Sequence, residues 1–151
     1  MLAIFTSSCE KDGSTDLNTP APLTFTILLV DDNGKYLVNA DNTEWVKENI
    51  TITYNNDTYY LNAENQYTMP FYTYERIPNA LYFGLFFGNN FNGEFTINYN
   101  DGTHDRIAFD VKNYISSNRS IKIYLNGDKI KNKNITIVKP ADFLEKMQNA
   151  E

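Results

Sequence analysis

The chain has 151 residues, a formal net charge of −6 and an aromatic content of 15%, with 11 Tyr and 10 Phe. That length fits one domain, enough to bury roughly 68–70% of the unfolded surface, and the aromatic bias favours strands over helices. No Lys/Arg cluster forms a stripe for phosphate backbones, and no run of about 20 apolar residues exists, so the composition excludes nucleic acid as a partner and a membrane-spanning helix as an element.

Cys9 is the one cysteine and His104 the one histidine. A single thiol forms no internal disulfide and no Cys-rich zinc site, and a nucleophilic thiol needs a base beside it. The neighbours of Cys9 give it a different role. Met1 to Ser8, MLAIFTSS, is a short apolar run passing into small residues directly before the cysteine. This order resembles the end of a bacterial lipoprotein signal, in which the cysteine is lipidated and becomes the new N-terminus. A full signal carries a basic n-region and about 7–15 apolar residues, and Thr6 stands where such signals usually carry Leu, so residues 1–8 read as the remnant of a longer signal.

Glu10-Lys11-Asp12, Gly13 to Asp16 and Asn18 to Pro22 follow with almost no apolar side chains. Such a stretch cannot bury enough surface to offset its ordering entropy, and residues 9–22 read as a flexible tether from Cys9. The Cys-x-Lys-Asp start resembles that of Bacteroidetes-type lipoproteins. The resemblance implies a lipid-anchored outer-membrane protein at the cell surface, with the membrane as one partner through its anchor.

The globular part is expected over residues 23–139. Leu23 to Val30, LTFTILLV, alternates Phe25, Ile27 and Leu29 with polar or second-face residues, the period-two signature of a strand. Asp31-Asp32-Asn33-Gly34 breaks it. Closely spaced acids before a glycine raise a calcium loop, but the EF-hand spacing is absent, and the same residues tolerate turn conformations, so a turn is the expectation. Tyr36-Leu37-Val38 marks a short second strand. Asp41 to Glu48 carries a helical turn capped by Asn42 or Thr43, with Trp45 plugging the core or its rim. Asn49 to Tyr54 alternates again, and Asn55-Asn56-Asp57 turns it into Thr58 to Leu61.

Ala63 to Asn79 is the least regular stretch. Pro70 and Pro78 remove ladder donors, so it reads as a loop or edge segment. It gathers Tyr67, Phe71, Tyr72 and Tyr74. Tyr67, Tyr72 and Tyr74 are candidate small-ligand or glycan contacts, because a phenol ring offers flat apolar area with a polar tip; covering the open end of a β core is the favoured role for the same rings.

Ala80 to Val111 is the organising stretch, three consecutive strands. Leu81, Phe83, Leu85 and Phe87 alternate with apolar residues also in the gaps, as in a central strand. Phe95, Ile97 and Tyr99 alternate with polar residues; Asn100-Asp101-Gly102 supplies a turn in which Asp-Gly suits a two-residue hairpin; Ile107, Phe109 and Val111 resume the pattern. Phe83, Leu85, Phe95, Ile97, Ile107 and Phe109 are the predicted core. Ser120 to Asn126 is a further strand, Asn126-Gly127-Asp128 a turn, and Asn134 to Val138 a closing strand. In residues 140–151, Phe143, Leu144 and Met147 recur at helical spacing for a short C-terminal helix.

Eight or nine short strands separated by turn residues predict an all-β chain, an antiparallel β-sandwich of Ig-like or related type. The succession FTILLVDDNGKYLVN, NITITYNNDTYYL, NYNDGTHDRIAFDV and YLNG resembles small surface lipoproteins of the same bacterial group, which implies a fold and a location and leaves activity open. Catalytic constellations are scarce. A Ser-His-Asp triad would need His104, no G-x-S-x-G elbow is present, and Thr103-His104-Asp105 reads as a polar turn. Carboxylate pairs such as Asp31 with Asp32 are what is left for glycoside chemistry, their separation being invisible in sequence. The expectation is a non-enzymatic binding or assembly protein with no cofactor and no metal, its partner a carbohydrate or another envelope protein. The alternatives are a glycan-binding module using the loop tyrosines and a small hydrolase.

Overall fold

The structure is a computed structural model that describes residues 22–61, 70–76, 79–85, 88–131 and 134–149. Cys9, the tether up to residue 21, and Tyr67 lie outside the described residues. In chain order the elements are β1 (Leu23–Val30), α1 (Thr43–Asn49), β2 (Ile50–Tyr54), β3 (Asp57–Tyr59), β4 (Phe71–Glu75) and β5 (Ala80–Leu85). They continue with β6 (Phe91–Tyr99), β7 (His104–Lys112), β8 (Ser120–Leu125), β9 (Asp128–Ile130), β10 (Asn134–Val138) and α2 (Phe143–Gln148).

The strands form two sheets, β10-β1-β5-β4 and β3-β2-β6-β7-β8-β9. All pairings are antiparallel except β1 with β10, which run parallel through Thr26–Asn134 to Val30–Val138. Both sheets turn their alternate apolar residues inward, because period-two side chains leave only one face for the core. Phe25, Ile27, Phe83, Ile97 and Ile107 are fully withdrawn from water there, with Leu85, Phe95 and Phe109 almost so.

The two layers are locked by rings. Phe25 of β1 stacks edge-on to Phe95 of β6 at 5.0 Å and tilts against Phe109 of β7 at 5.4 Å. Phe83 of β5 meets Phe95 at 4.8 Å. These pairs all join one sheet to the other, and such pairs contribute about 0.5–1.5 kcal/mol each beyond their buried area.

The organising stretch proves not to be one continuous meander. β5 pairs with β1 and β4, whereas β6 and β7 pair with each other in the opposite sheet. The chain therefore changes layers between β5 and β6, and this crossing brings Phe83 onto Phe95.

The turns follow their residues. Asn55 and Asn56 both take positive φ (51° and 67°), as do Asn126 and Gly127 (51° and 94°), so both tight hairpins are of the two-residue type that asparagine and glycine tolerate. The β6–β7 connection is one residue longer than expected. Only Gly102 is left-handed (φ 82°), its N–H donates to the Tyr99 carbonyl, and Tyr99 N–H donates to Thr103 O, which makes a three-residue loop. Instead of a second strand after β1, Tyr36 makes an isolated bridge to Val30.

Helix α1 is two turns long, and Asn42 occupies its N-cap position without a side-chain cap bond. Asn42 instead accepts from Asn39 N–H (2.9 Å) and donates to Leu37 O (2.7 Å), bracing the loop before the helix. Trp45 packs partly buried against the core. β4 is the edge strand that the prolines foretold. α2 docks on the sandwich through Phe143 and Met147, both buried.

Candidate functional site

Of the rings proposed from sequence as ligand contacts, Tyr72 and Tyr74 lie among the described residues, and both are held by the protein itself. Tyr72 is 3% exposed, a core residue whose hydroxyl donates to Ile50 O at 3.2 Å in the other layer. This corrects its candidacy as a ligand contact. On β4 the parity that sends Tyr72 inward also pairs it with Phe83, so its ring seals the sandwich. Burial pushes the Tyr72 phenol far above the ordinary tyrosine value. Tyr74 is half-buried against the core, and its hydroxyl donates to Asn79 Oδ1 at 2.6 Å across the β4–β5 turn.

Asp31 is a turn builder. Its Oδ1 accepts from Asn33 N–H (2.8 Å) and Lys35 N–H (2.9 Å), which holds the loop after β1 closed. Asp31 is buried and Asp32 exposed, so the pair does not present two carboxylates side by side. His104 opens β7 on the solvent face, whereas Asp105, one residue on, points into the sandwich. Neighbours in a strand face opposite ways, so these two residues cannot act as a relay.

Asp105 is where the polar turn expected from sequence breaks down, because it heads a buried cluster. Its Oδ2 accepts from the Tyr99 hydroxyl at 2.7 Å and pairs with Lys139 Nζ at 2.8 Å; its Oδ1 accepts from Asn126 Nδ2 at 2.8 Å. Lys139 Nζ also sits 4.5 Å from the centre of the Tyr99 ring and 5.1 Å from that of Phe143, two rings set edge to face at 5.1 Å. An ammonium over ring faces gains attraction from the ring quadrupole, more so when partly dry.

Burial pushes the Asp105 carboxyl up, but the bonds from Lys139, Tyr99 and Asn126 outweigh it and hold it below the usual aspartate value. Burial, then the facing Asp105 charge, drives the Tyr99 phenol well above its own. The cluster thus joins the β6–β7 hairpin, the β8–β9 turn, the exit of β10 and helix α2. Asn126 completes it by accepting from Arg106 N–H through its side chain and donating its own N–H to Arg106 O, each at 2.8 Å. One sequence signal marked Asp105: it shares the parity of Ile107, Phe109 and Val111, all inward. Lys139 and Asn126 carried no such mark.

No protein-family model, curated protein or solved structure matches this chain. The surface itself therefore carries what can be said about ligands.

The described residues carry several surface hollows, of which two bear on ligands. One, about 300 Å³, lies on the outer face of the four-stranded sheet between Thr24, Phe71, Thr73, Glu75 and Tyr82. There Phe71 lies across Gly84, its cross-strand partner, so closely that a Cβ at that position would overlap the ring. The other, about 520 Å³, runs along the β8–β9 edge and is lined by Ser120, Ile121, Lys122, Lys129, Ile130 and Lys131. The lysines are separated in sequence by the β8–β9 turn, and only the hairpin brings them together.

Proposed function

We propose that the chain is a lipid-anchored cell-envelope protein whose β-sandwich binds or assembles at the cell surface without catalysing a reaction. The observation that carries this reading is the order of residues at the N-terminus: small residues, Cys9, then Lys11 and Asp12 in a polar run that ends where β1 begins. A thioether-linked diacylglycerol on Cys9 supplies the membrane attachment, and residues 10–22 supply the reach. The non-catalytic part draws support from the buried ionisable groups. Asp105 and Tyr99, the groups with the most altered protonation chemistry in β6 and β7, hold strands together inside the sandwich.

The glycan reading survives without Tyr72, since that ring is in the core. It passes to surfaces that face water. The hydrolase reading loses its histidine constellation, because His104 and Asp105 lie on opposite faces of β7.

Mass spectrometry of the protein from membranes of its native host, expressed from the full reading frame, tests the address. The expected result is an N-terminal Cys9 carrying a diacylglycerol thioether. An unmodified Cys9 thiol within an intact MLAIFTSSC peptide overturns it.

A further inference from the structure

The chain is acidic, but its charge is divided. Residues 112–139 hold Lys112, Arg119, Lys122, Lys129, Lys131, Lys133 and Lys139 against the single acid Asp128, a net of 7 − 1 = +6. The remaining residues hold 13 − 7 = 6 basic and 19 − 1 = 18 acidic side chains, a net of −12. Of these residues Lys112, Arg119, Lys122, Lys129 and Lys131 are exposed, whereas Lys139 is taken up by its ion pair with Asp105.

Lys122, Lys129 and Lys131 are exposed, and they line the 520 Å³ groove together. The ion pairs among the described residues engage Arg106, Lys139 and Lys146 and leave these three out. Ile121 and Ile130, half-buried, turn the other way and pack against the core, whereas Lys122 shares its face with Ser120 and with Tyr124, which lies directly opposite Lys129. β9 is the outermost strand of its sheet. In a two-residue hairpin closed by Leu125 and Asp128, those two residues exchange hydrogen bonds, so the N–H and C=O of Lys129 point to the free edge.

We propose that this groove binds a linear anionic polysaccharide, one bearing carboxylate or sulfate groups along its length. Lysine is a compact charge on a flexible stem, suited to spaced anions more than to a single planar one. Tyr124, half-buried on the lysine face, offers its ring to the apolar face of a sugar, and the open backbone edge and Ser120 meet its hydroxyls. A lipid surface fits less well, because Ile121 and Ile130 turn toward the core and are not presented beside the lysines for insertion. The proposal rests on reading the domain as a surface binding module and names the class of its ligand. The bland role for such lysines is to keep a short edge strand from pairing with another chain.

The test titrates the full chain with polygalacturonate and dextran sulfate, with neutral dextran and vesicles of phosphatidylglycerol in phosphatidylcholine as comparisons. Lys122→Gln/Lys129→Gln/Lys131→Gln is set against Lys35→Gln/Lys47→Gln/Lys146→Gln, which changes net charge equally elsewhere, and thermal melts check that both fold. Expected are binding to a charged polysaccharide that weakens steeply with salt, a loss of about tenfold or more in the groove variant, and a change within about twofold in the other. Equal losses in both variants overturn the site, as does unchanged affinity in the groove variant, with or without new self-association. Binding to the vesicles alone, or to no polyanion at low salt, overturns the ligand class. A lipidated Cys9 with an inert groove leaves the address standing, and the converse result leaves the groove standing.

Discussion

Lys139 Nζ lies 2.8 Å from Asp105 Oδ2, with side-chain exposures of only 16% and 8%. Lys139 directly follows β10, in the four-stranded sheet, and Asp105 lies on β7, in the six-stranded one, so a single ion pair bridges the layers where α2 docks. Charges taken out of water are costly, and their geometry must compensate. Here it does so through the Tyr99 and Asn126 donors and the two rings around the ammonium.

Removing one partner should therefore cost far more than removing both. Asp105→Asn or Lys139→Met alone should lower stability by about 3–5 kcal/mol, because each leaves a buried charge uncompensated. The double variant should recover part of that loss. Urea denaturation of the four proteins in a double-mutant cycle measures it, and additive losses would show that the pair is not coupled.

The same carboxylate sets a pH dependence. Asp105 is held below its ordinary value of 3.8, so the folded state binds its proton less readily than the unfolded chain. Its contribution is present in full above that pH and is lost as pH falls through the depressed value. The gap in urea midpoint between the wild type and Asp105→Asn should be widest near neutrality and narrow in acid. A gap that stays constant down to acid unfolding would remove Asp105 as the cause.

Tyr72 and Tyr99 set an opposite limit. Burial raises both phenols, so each contributes stability that is present below pH 10.0 and lost as pH rises through the raised value. Of 11 tyrosines, at least these two should stay un-ionised until the chain unfolds. Tyrosinate absorbance followed beside far-ultraviolet circular dichroism tests this. Full ionisation in one step near pH 10, with native dichroism kept, would contradict it.

Gly84 predicts a steric effect. Phe71 lies over it, so Gly84→Val must displace the ring and should cost about 1–3 kcal/mol. Gly84→Val with Phe71→Ala should regain some of that cost. Thermal unfolding of the two variants separates the outcomes, since equal destabilisation would mean the ring is not the obstacle.

Much of this fold was legible in the chain. Alternation in β1, β6, β7, β8 and β10 fixed which side chains point inward, and the six residues chosen as core from the Ala80–Val111 stretch are all buried. Tyr72 misled because its proline-flanked, irregular surroundings read as a loop, while the strand that carries it is only five residues long. Asp105 was within reach by parity, but a polar residue beside a turn is ordinarily solvated.

By itself, then, the sequence determined the strand class, the inward faces, and the asparagine and glycine turns. These are local properties, set by the period of side chains along a strand and by the φ that each residue tolerates. Only the tertiary structure decided that β5 and β6 belong to opposite layers and that β10 runs parallel to β1. It alone brought Lys139 to Asp105 and gathered Lys122, Lys129 and Lys131 on one edge. Those are pairings between distant residues, and a strand's hydrogen-bonding edges carry no address in their own sequence; the partner is chosen by how the whole set of apolar faces can be buried at once.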